Sequence, residues 1–155
     1  MIKKKKKIQF DLDNTLVNFQ SGIDQLPLDV QKEYEGRLDE VEGIFGLMVP
    51  IKGAIEAYNT LNKYYECHIC STSPWFNKTA ASDKVAFVKR YIPNAYKNVT
   101  LTHHKENVLG DYLIDDRPHA NGADKFTGEV IPYSHDGYET WEKVIDYLLT
   151  KDGFR

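Results

Sequence analysis

The stretch IQFDLDNTL, residues 8–16, places two carboxylates, Asp11 and Asp13, at the end of a run that mixes apolar and polar residues. Such a run predicts a β-strand over residues 7–12. Two like charges a few ångströms apart raise each other's pKa, so a strand that ends in both is unfavourable unless a cation lies beside them. The pair therefore indicates a functional site at the end of this strand.

Helical and strand patterns alternate along the rest of the chain. Apolar residues at helical spacing predict four helices, over residues 24–42, 54–65, 80–91 and 138–150. Short apolar runs predict four more strands, over residues 66–70, 98–102, 111–115 and 128–133. This alternation is typical of an α/β fold with a parallel sheet, in which active sites lie at the carboxyl ends of the strands.

The length of 155 residues suits one domain with a small insert. Residues 14–22 are predicted as a loop, and Asp24 is predicted to cap the helix that follows. Residues 18–50 interrupt the first strand–helix unit and are too long for an ordinary loop. We therefore predict a core formed by residues 1–17 and 51–155, with residues 18–50 inserted after the first strand as a small helical cap.

Groups suited to bind phosphate or a metal ion follow four of the predicted strands, namely Asp11 and Asp13, Ser71 and Thr72, Lys105, and Asp115 and Asp116. The carboxyl ends of parallel strands meet at one edge of a sheet, so we expect these groups to converge. Several carboxylates together require a divalent cation, and hard oxygen ligands favour Mg²⁺. Lys105, with Lys84 on the helix after the second strand, can balance a phosphate dianion, and the hydroxyls can donate to its oxygens.

Four segments resemble the motifs of the haloacid dehalogenase (HAD) superfamily. FDLDNTLV resembles the first motif, ICST the second, Lys105 the third and LIDDR the fourth. The match is closer to the 5′(3′)-deoxyribonucleotidase branch, in which LIDDR follows the motif lysine by ten residues, as from Lys105 to Asp115 here. The resemblance covers nearly the whole chain, except that residues 20–45 carry little of the family's signature. The resemblance implies a three-layer, Rossmann-like α/β core.

The resemblance also implies an activity, the Mg²⁺-dependent hydrolysis of (deoxy)ribonucleoside monophosphates through an aspartyl-phosphate intermediate. Asp11 would be the nucleophile. Asp13 would protonate the leaving oxygen and then act as the base that activates water. Mg²⁺ would be held by Asp11, the backbone carbonyl of Asp13 and Asp115, with Asp116 acting through metal-bound water.

The phosphate oxygens would be held by Ser71 and Lys105, joined by Thr72 and Lys84. Phe19 and Trp75 are the predicted contacts for the rest of the substrate, because one follows the first motif closely and the other lies on the loop after the second. Phe45 and Met48 could either enclose a base or form the core of the cap.

Two other functions are compatible with these residues. The first is a phosphatase acting on another small phosphomonoester, such as a sugar phosphate. The second is a phosphate-binding regulatory module without turnover. The sequence leaves the oligomeric state open, a homodimer being compatible with it.

Composition argues against several classes of protein. A net charge of −3 argues against a nucleic-acid polymer as partner, and the chain contains no apolar run of the roughly 20 residues that would span a membrane. No apolar segment with a small-residue cleavage site follows the lysine run over residues 3–7, so a signal peptide is not expected. The run is expected to be a solvated lead-in to the first strand. Cys67 and Cys70 are expected to be reduced, buried thiols, which indicates the cytoplasm.

Overall fold

The computed structural model describes residues 3–155 and contains a central sheet of five parallel strands. In chain order the strands of the molecule are β1 (Lys7–Phe10), β2 (Val17–Asn18), β3 (Val49–Pro50), β4 (Glu66–Ser71), β5 (Val99–Leu101), β6 (Tyr112–Asp115) and β7 (Glu129–Pro132). The central sheet has the order β5–β4–β1–β6–β7, while β2 and β3 form a separate antiparallel pair. The predicted parallel sheet and its five strands are confirmed.

Five α-helices accompany the strands in the part of the chain that the structure describes, namely α1 (Phe19–Ile23), α2 (Leu28–Glu33), α3 (Ala54–Leu61), α4 (Ala80–Tyr91) and α5 (Trp141–Lys151). The last three confirm the helices predicted over residues 54–65, 80–91 and 138–150. The start of α5 follows from its sequence, because the Thr140 hydroxyl accepts a hydrogen bond from the backbone N–H of Lys143. The helices flank the sheet, as expected for a Rossmann-like α/β fold.

The centre of the hydrophobic core lies beside β1. The Phe10 ring packs between Tyr58 of α3 and Trp141 of α5, with ring centroids 4.8 and 5.9 Å away. The indole N–H of Trp141 donates to the backbone carbonyl of Thr15 at 3.1 Å. Because aromatic rings bury large areas, this cluster fixes β1 and the turn that follows it.

The prediction for residues 14–42 was wrong in two respects. The predicted loop contains β2 and α1, and the Asn18 side chain caps α1 by accepting from the N–H of Ser21. The predicted single helix over residues 24–42 is divided, because Gly36 takes a left-handed conformation with φ of 79° after α2. Asp24 ends α1 instead of starting a helix.

The insert over residues 18–50 packs onto the rest of the protein. Phe45 and Met48 are buried in the main core cluster, which favours a structural role for both. The amide of Asn77, in the loop before α4, donates to the carbonyl of Asp39 and to that of Val41, each at 2.9 Å. The division into a core and a cap remains a prediction.

The two cysteines are free and buried, as predicted. They lie in β4, where burial raises the pKa of the Cys67 thiol to about 12 and that of Cys70 to about 11. Within residues 3–155, no helix is long and apolar enough to cross a membrane. Four lysines before β1 are exposed (Lys3, Lys4, Lys5 and Lys6), as expected of a solvated lead-in.

We predict that both cysteines resist alkylation in the native protein. Burial disfavours the thiolate, which is the reactive form, so iodoacetamide at pH 8 should modify neither Cys67 nor Cys70 within minutes. The same treatment in denaturant should modify both, as measured by intact-protein mass spectrometry. Rapid modification of the native protein at either cysteine would contradict the burial described above.

Candidate active site

The polar groups predicted from the strand ends do converge at the carboxyl edge of the sheet. A cavity of about 600 Å³ lies there. The predicted site residues among those that line it are Asp11, Asp13, Phe19, Thr72, Trp75, Lys105, Asp115 and Asp116. Two predicted residues, Ser71 and Lys84, are buried and are not part of its lining.

Lys105 joins two of the carboxylates at the floor of the cavity. Its ammonium group donates to Asp11 Oδ1 at 3.0 Å and to Asp115 Oδ2 at 2.6 Å. Burial alone would lower the pKa of Lys105, but the charges of Asp11 and Asp115 raise it above its ordinary value. The lysine is therefore permanently charged.

The backbone around Lys105 explains its position. Lys105 follows β5 and starts a 3₁₀ turn, and its N–H donates to the carbonyl of Asn121 at 2.8 Å. Asn121 itself has a φ of 52°, in the left-handed region that asparagine tolerates better than most residues. The loop after β6 thus holds the lysine beside β1 and β6.

Thr15 connects the ends of β1 and β6. Its hydroxyl lies 3.2 Å from Asp11 Oδ2 and 3.2 Å from Asp116 Oδ1, and it accepts from the backbone N–H of Asp116 at 3.1 Å. Thr15 is fully buried. The side chain therefore fixes the distance between two carboxylates that would otherwise repel each other.

The acidic cluster has the composition of a divalent cation site. Asp11, Asp115 and Asp116 each offer a carboxylate oxygen, and these oxygens lie within 4.8 Å of one another. Burial and the neighbouring carboxylates raise the pKa of Asp115 to about 6 and that of Asp116 to about 8. Lys105 does not compensate all of this negative charge, so the residues present fit a hard cation.

Asp13 has different partners from Asp11. Lys84 of α4 donates to Asp13 Oδ2 at 2.6 Å and to the Ser71 hydroxyl at 3.0 Å. Asp13 Oδ1 is buried and has no hydrogen-bond partner among residues 3–155. Burial raises the pKa of Asp13, although the Lys84 charge opposes the shift. An aspartate with a raised pKa is suited to carry a proton.

Thr72 and Ser71 differ in position although they are adjacent. Thr72 lies on the cavity wall, where its hydroxyl donates to the carbonyl of Thr102 at 2.8 Å. Ser71 ends β4 and points to Lys84. Thr72 is thus part of the cavity lining and Ser71 is not. The sequence prediction that both hold the phosphate stays a prediction.

Aromatic side chains stand at the mouth of the cavity. Trp75 is 81% exposed, and its ring lies edge-on to that of His103 with centroids 6.1 Å apart. Phe19 is partly buried and packs against Phe45 with centroids 5.8 Å apart. Both rings are part of the cavity lining.

Several residues that line the cavity were not predicted from the sequence. Leu38 and Asp39 come from the insert, where no motif marks them, and Arg117 and Asn121 come from the loop after β6. Arg117 could have been inferred, because it directly follows the two acids of the LIDDR segment.

The fold is that of the HAD hydrolases. The putative HAD-hydrolase YfnB from Bacillus subtilis, whose structure was solved bound to magnesium, has a TM-score of 0.63 and 14% identity over 94% of this chain and 99% of that one. A haloacid dehalogenase-like hydrolase from Xanthomonas campestris has a TM-score of 0.58 and 11% identity over 98% of this chain and 99% of that one. These likenesses show the fold of this chain, and the strand-end aspartates lie at the carboxyl edge of its sheet.

Comparison of sequences assigns the family. Residues 32–138 match the family described as 5′ nucleotidase, deoxy (pyrimidine), cytosolic type C protein. The chain is 47% identical over 146 residues to a putative 5′(3′)-deoxyribonucleotidase of Vibrio phage KVP40, covering 94% of this chain and 85% of that protein. It is 32% identical over 88 residues to the human mitochondrial 5′(3′)-deoxyribonucleotidase, covering 55% of this chain and 39% of that protein. The chain belongs to this family of nucleotidases and is a hydrolase.

The raised pKa values predict how stability depends on pH when no divalent cation is present. Asp115 and Asp116 have pKa values of about 6 and about 8 in the folded protein, whereas an unfolded aspartate has a pKa of about 3.9. Between the unfolded and the folded pKa values, the folded state therefore binds more protons than the unfolded state. The free energy of unfolding should fall as the pH rises from about 5 to about 8.

Urea unfolding in EDTA at several pH values measures this dependence. The variant Asp116→Asn should flatten the slope, and Mg²⁺ should restore the stability of the parent protein at pH 8. A parent protein whose stability rises steadily over this range would contradict the description of the acidic cluster.

Proposed function

We propose that the protein is a phosphomonoesterase that hydrolyses deoxyribonucleoside monophosphates, with Asp11 as the nucleophile. The observation that carries this proposal is that the two aspartates have different hydrogen-bond partners. Asp11 is held by Lys105 and Thr15, whereas Asp13 is held by Lys84. A nucleophile and a proton donor need such different surroundings.

In the first step, a carboxylate oxygen of Asp11 attacks phosphorus, and the bond from phosphorus to the ester oxygen breaks. Asp13 gives its proton to that leaving oxygen, which departs as the alcohol of the nucleoside. In the second step, water attacks the phosphorus of the aspartyl-phosphate and loses a proton to Asp13. Asp11 is then regenerated, and inorganic phosphate leaves.

Lys105 and Thr72 are proposed to contact the phosphoryl group. Lys105 lines the cavity and uses two of its N–H donors on Asp11 and Asp115, which leaves one for a phosphoryl oxygen. Its charge also compensates that of the incoming dianion. Phosphoryl transfer needs little else than this positioning and charge compensation.

Mg²⁺ is the proposed cofactor. Asp11, Asp115 and Asp116 would hold it, assisted by the backbone carbonyl of Asp13. The spacing of the three carboxylates and the raised pKa values of Asp115 and Asp116 support this choice. When bound, the ion compensates negative charge on the phosphoryl oxygens and on the cluster itself.

The insert over residues 18–50 is proposed to act as a cap that encloses the nucleoside. Phe19 and Trp75 would contact the base, since both line the cavity at its mouth. Stacking of a base on one aromatic side chain is worth about 1–3 kcal/mol. We also propose a reducing compartment, the cytoplasm, which the free cysteines support.

Replacement of the nucleophile should abolish turnover without loss of the fold. In Asp11→Asn the side chain keeps its shape but cannot form the aspartyl-phosphate, so release of phosphate should fall to background. The exposed Asp146 of α5 offers a matched control, because Asp146→Asn makes the same change far from any proposed role. Hydrolysis by Asp11→Asn at the parental rate would overturn the mechanism.

A panel of phosphomonoesters tests the substrate. Deoxyribonucleoside monophosphates should be hydrolysed with a higher kcat/KM than ribonucleotides or sugar phosphates, and EDTA should abolish activity until Mg²⁺ is added. A preference for sugar phosphates would contradict the proposed substrate and favour a phosphatase that acts on another small phosphomonoester. Absence of turnover on every ester would favour a phosphate-binding module, and activity that survives EDTA would remove the proposed metal.

A further inference from the structure

We propose that Lys84 is a positioning residue for the proton donor Asp13, and that it connects this aspartate to the insert. The proposal rests on the proposed function, because it takes Asp13 as the group that protonates the leaving oxygen. It differs from the role predicted from the sequence, in which Lys84 binds the phosphate itself.

The contacts of the Lys84 ammonium group direct it towards Asp13, Ser71 and Phe45 and not towards the cavity. Two of its N–H groups are used by Asp13 Oδ2 and by the Ser71 hydroxyl, at 2.6 and 3.0 Å. The ammonium also lies 4.4 Å from the centroid of the Phe45 ring, a distance typical of a cation–π contact. An ammonium group has three donors, and Asp13 and Ser71 use two of those of Lys84.

Burial supports the same conclusion. Lys84 is 2% exposed and does not line the cavity, whereas Lys105, equally buried, does line it. An unpaired ammonium at this depth would be strongly unfavourable, so Lys84 and Asp13 depend on each other. Loss of the lysine would leave the Asp13 carboxyl free to turn away from the leaving oxygen.

The Phe45 contact gives Lys84 a second function. Phe45 belongs to the 3₁₀ turn Ile44–Gly46 of the insert, and this turn packs against α4, which carries Lys84. The same ring packs against Phe19 at the mouth of the cavity. The chain of contacts Phe19, Phe45, Lys84 and Asp13 therefore joins the entrance of the cavity to the proton donor.

The basicity of the leaving group distinguishes the two roles of Lys84. A deoxynucleoside leaves as an alkoxide unless it is protonated, whereas p-nitrophenolate is a weak base and leaves without a proton. A defect in proton donation should therefore affect a deoxynucleotide much more than p-nitrophenyl phosphate. The quantity to compare is kcat/KM, because it includes the step in which the leaving group departs.

We expect Lys84→Met to lower kcat/KM for a deoxynucleoside monophosphate by about 10²-fold or more, the usual contribution of general acid catalysis. The loss for p-nitrophenyl phosphate should stay below about tenfold, and inhibition by inorganic phosphate should change by less than about twofold, because the phosphate contacts are intact. Lys84→Arg should recover part of the deoxynucleotide activity. Lys89→Met, an exposed lysine on the same helix, is the control and should behave as the parent.

Phe45→Leu provides a variant that keeps the ion pair and an apolar side chain. It should show the same substrate dependence as Lys84→Met with a smaller loss, and it keeps the proposal testable if Lys84→Met does not fold. Circular dichroism and thermal unfolding identify a variant that has lost its structure. If Phe45→Leu lowers activity on both esters equally, the connection to the insert is wrong.

Asp13→Asn separates this proposal from the proposed function. Suppose that Asp13→Asn is more defective on the deoxynucleotide than on p-nitrophenyl phosphate, as the proposed function requires. If folded Lys84 variants then lose both activities equally and bind phosphate more weakly, Lys84 binds phosphate and the inference is overturned. If Asp13→Asn itself shows no such difference, Asp13 is not the proton donor and the proposed function fails at that point.

Discussion

The ion pair between buried Lys105 and the carboxylates of Asp11 and Asp115 is the interaction on which the site depends. It joins the ends of β1 and β6 to the turn after β5, three segments that are far apart in the sequence. Without the lysine, two buried carboxylates would lie together with no cation paired to them, which is strongly unfavourable. Hydrophobic packing around Phe10 stabilises the sheet, whereas this ion pair positions the side chains at the carboxyl edge of the sheet.

The sequence predicted the parts of the fold in which one local pattern dominates. The bounds of α4 agree with the predicted helix over residues 80–91, because its apolar residues follow a helical period without interruption. The insert was predicted poorly, since the backbone at Gly36 and the 3₁₀ turns break a periodicity that looks continuous in the sequence. Tertiary contacts, such as those from Asn77, fix that segment instead.

The sequence predicted which residues form the candidate site but not which of these residues contact one another. Strand ends and motif spacing identified Asp11, Asp13, Lys105, Asp115 and Asp116, since parallel strands bring their carboxyl ends together. They could not decide between Ser71 and Thr72, because the point at which the chain leaves β4 depends on its pairing with β5. The sequence also could not predict that Lys84 pairs with Asp13 and Lys105 with Asp11, because this pairing depends on where α4 packs.

The antiparallel pair of β2 and β3 has a consequence for the evolution of the chain. Val17 pairs with Pro50, so the two ends of the insert lie side by side at its base. A segment anchored in this way can lengthen, shorten or be exchanged for another while β1 and its aspartates stay in place, because closing a longer loop costs little extra free energy. The sequence between Val17 and Pro50 can therefore diversify without displacing the aspartates at the end of β1.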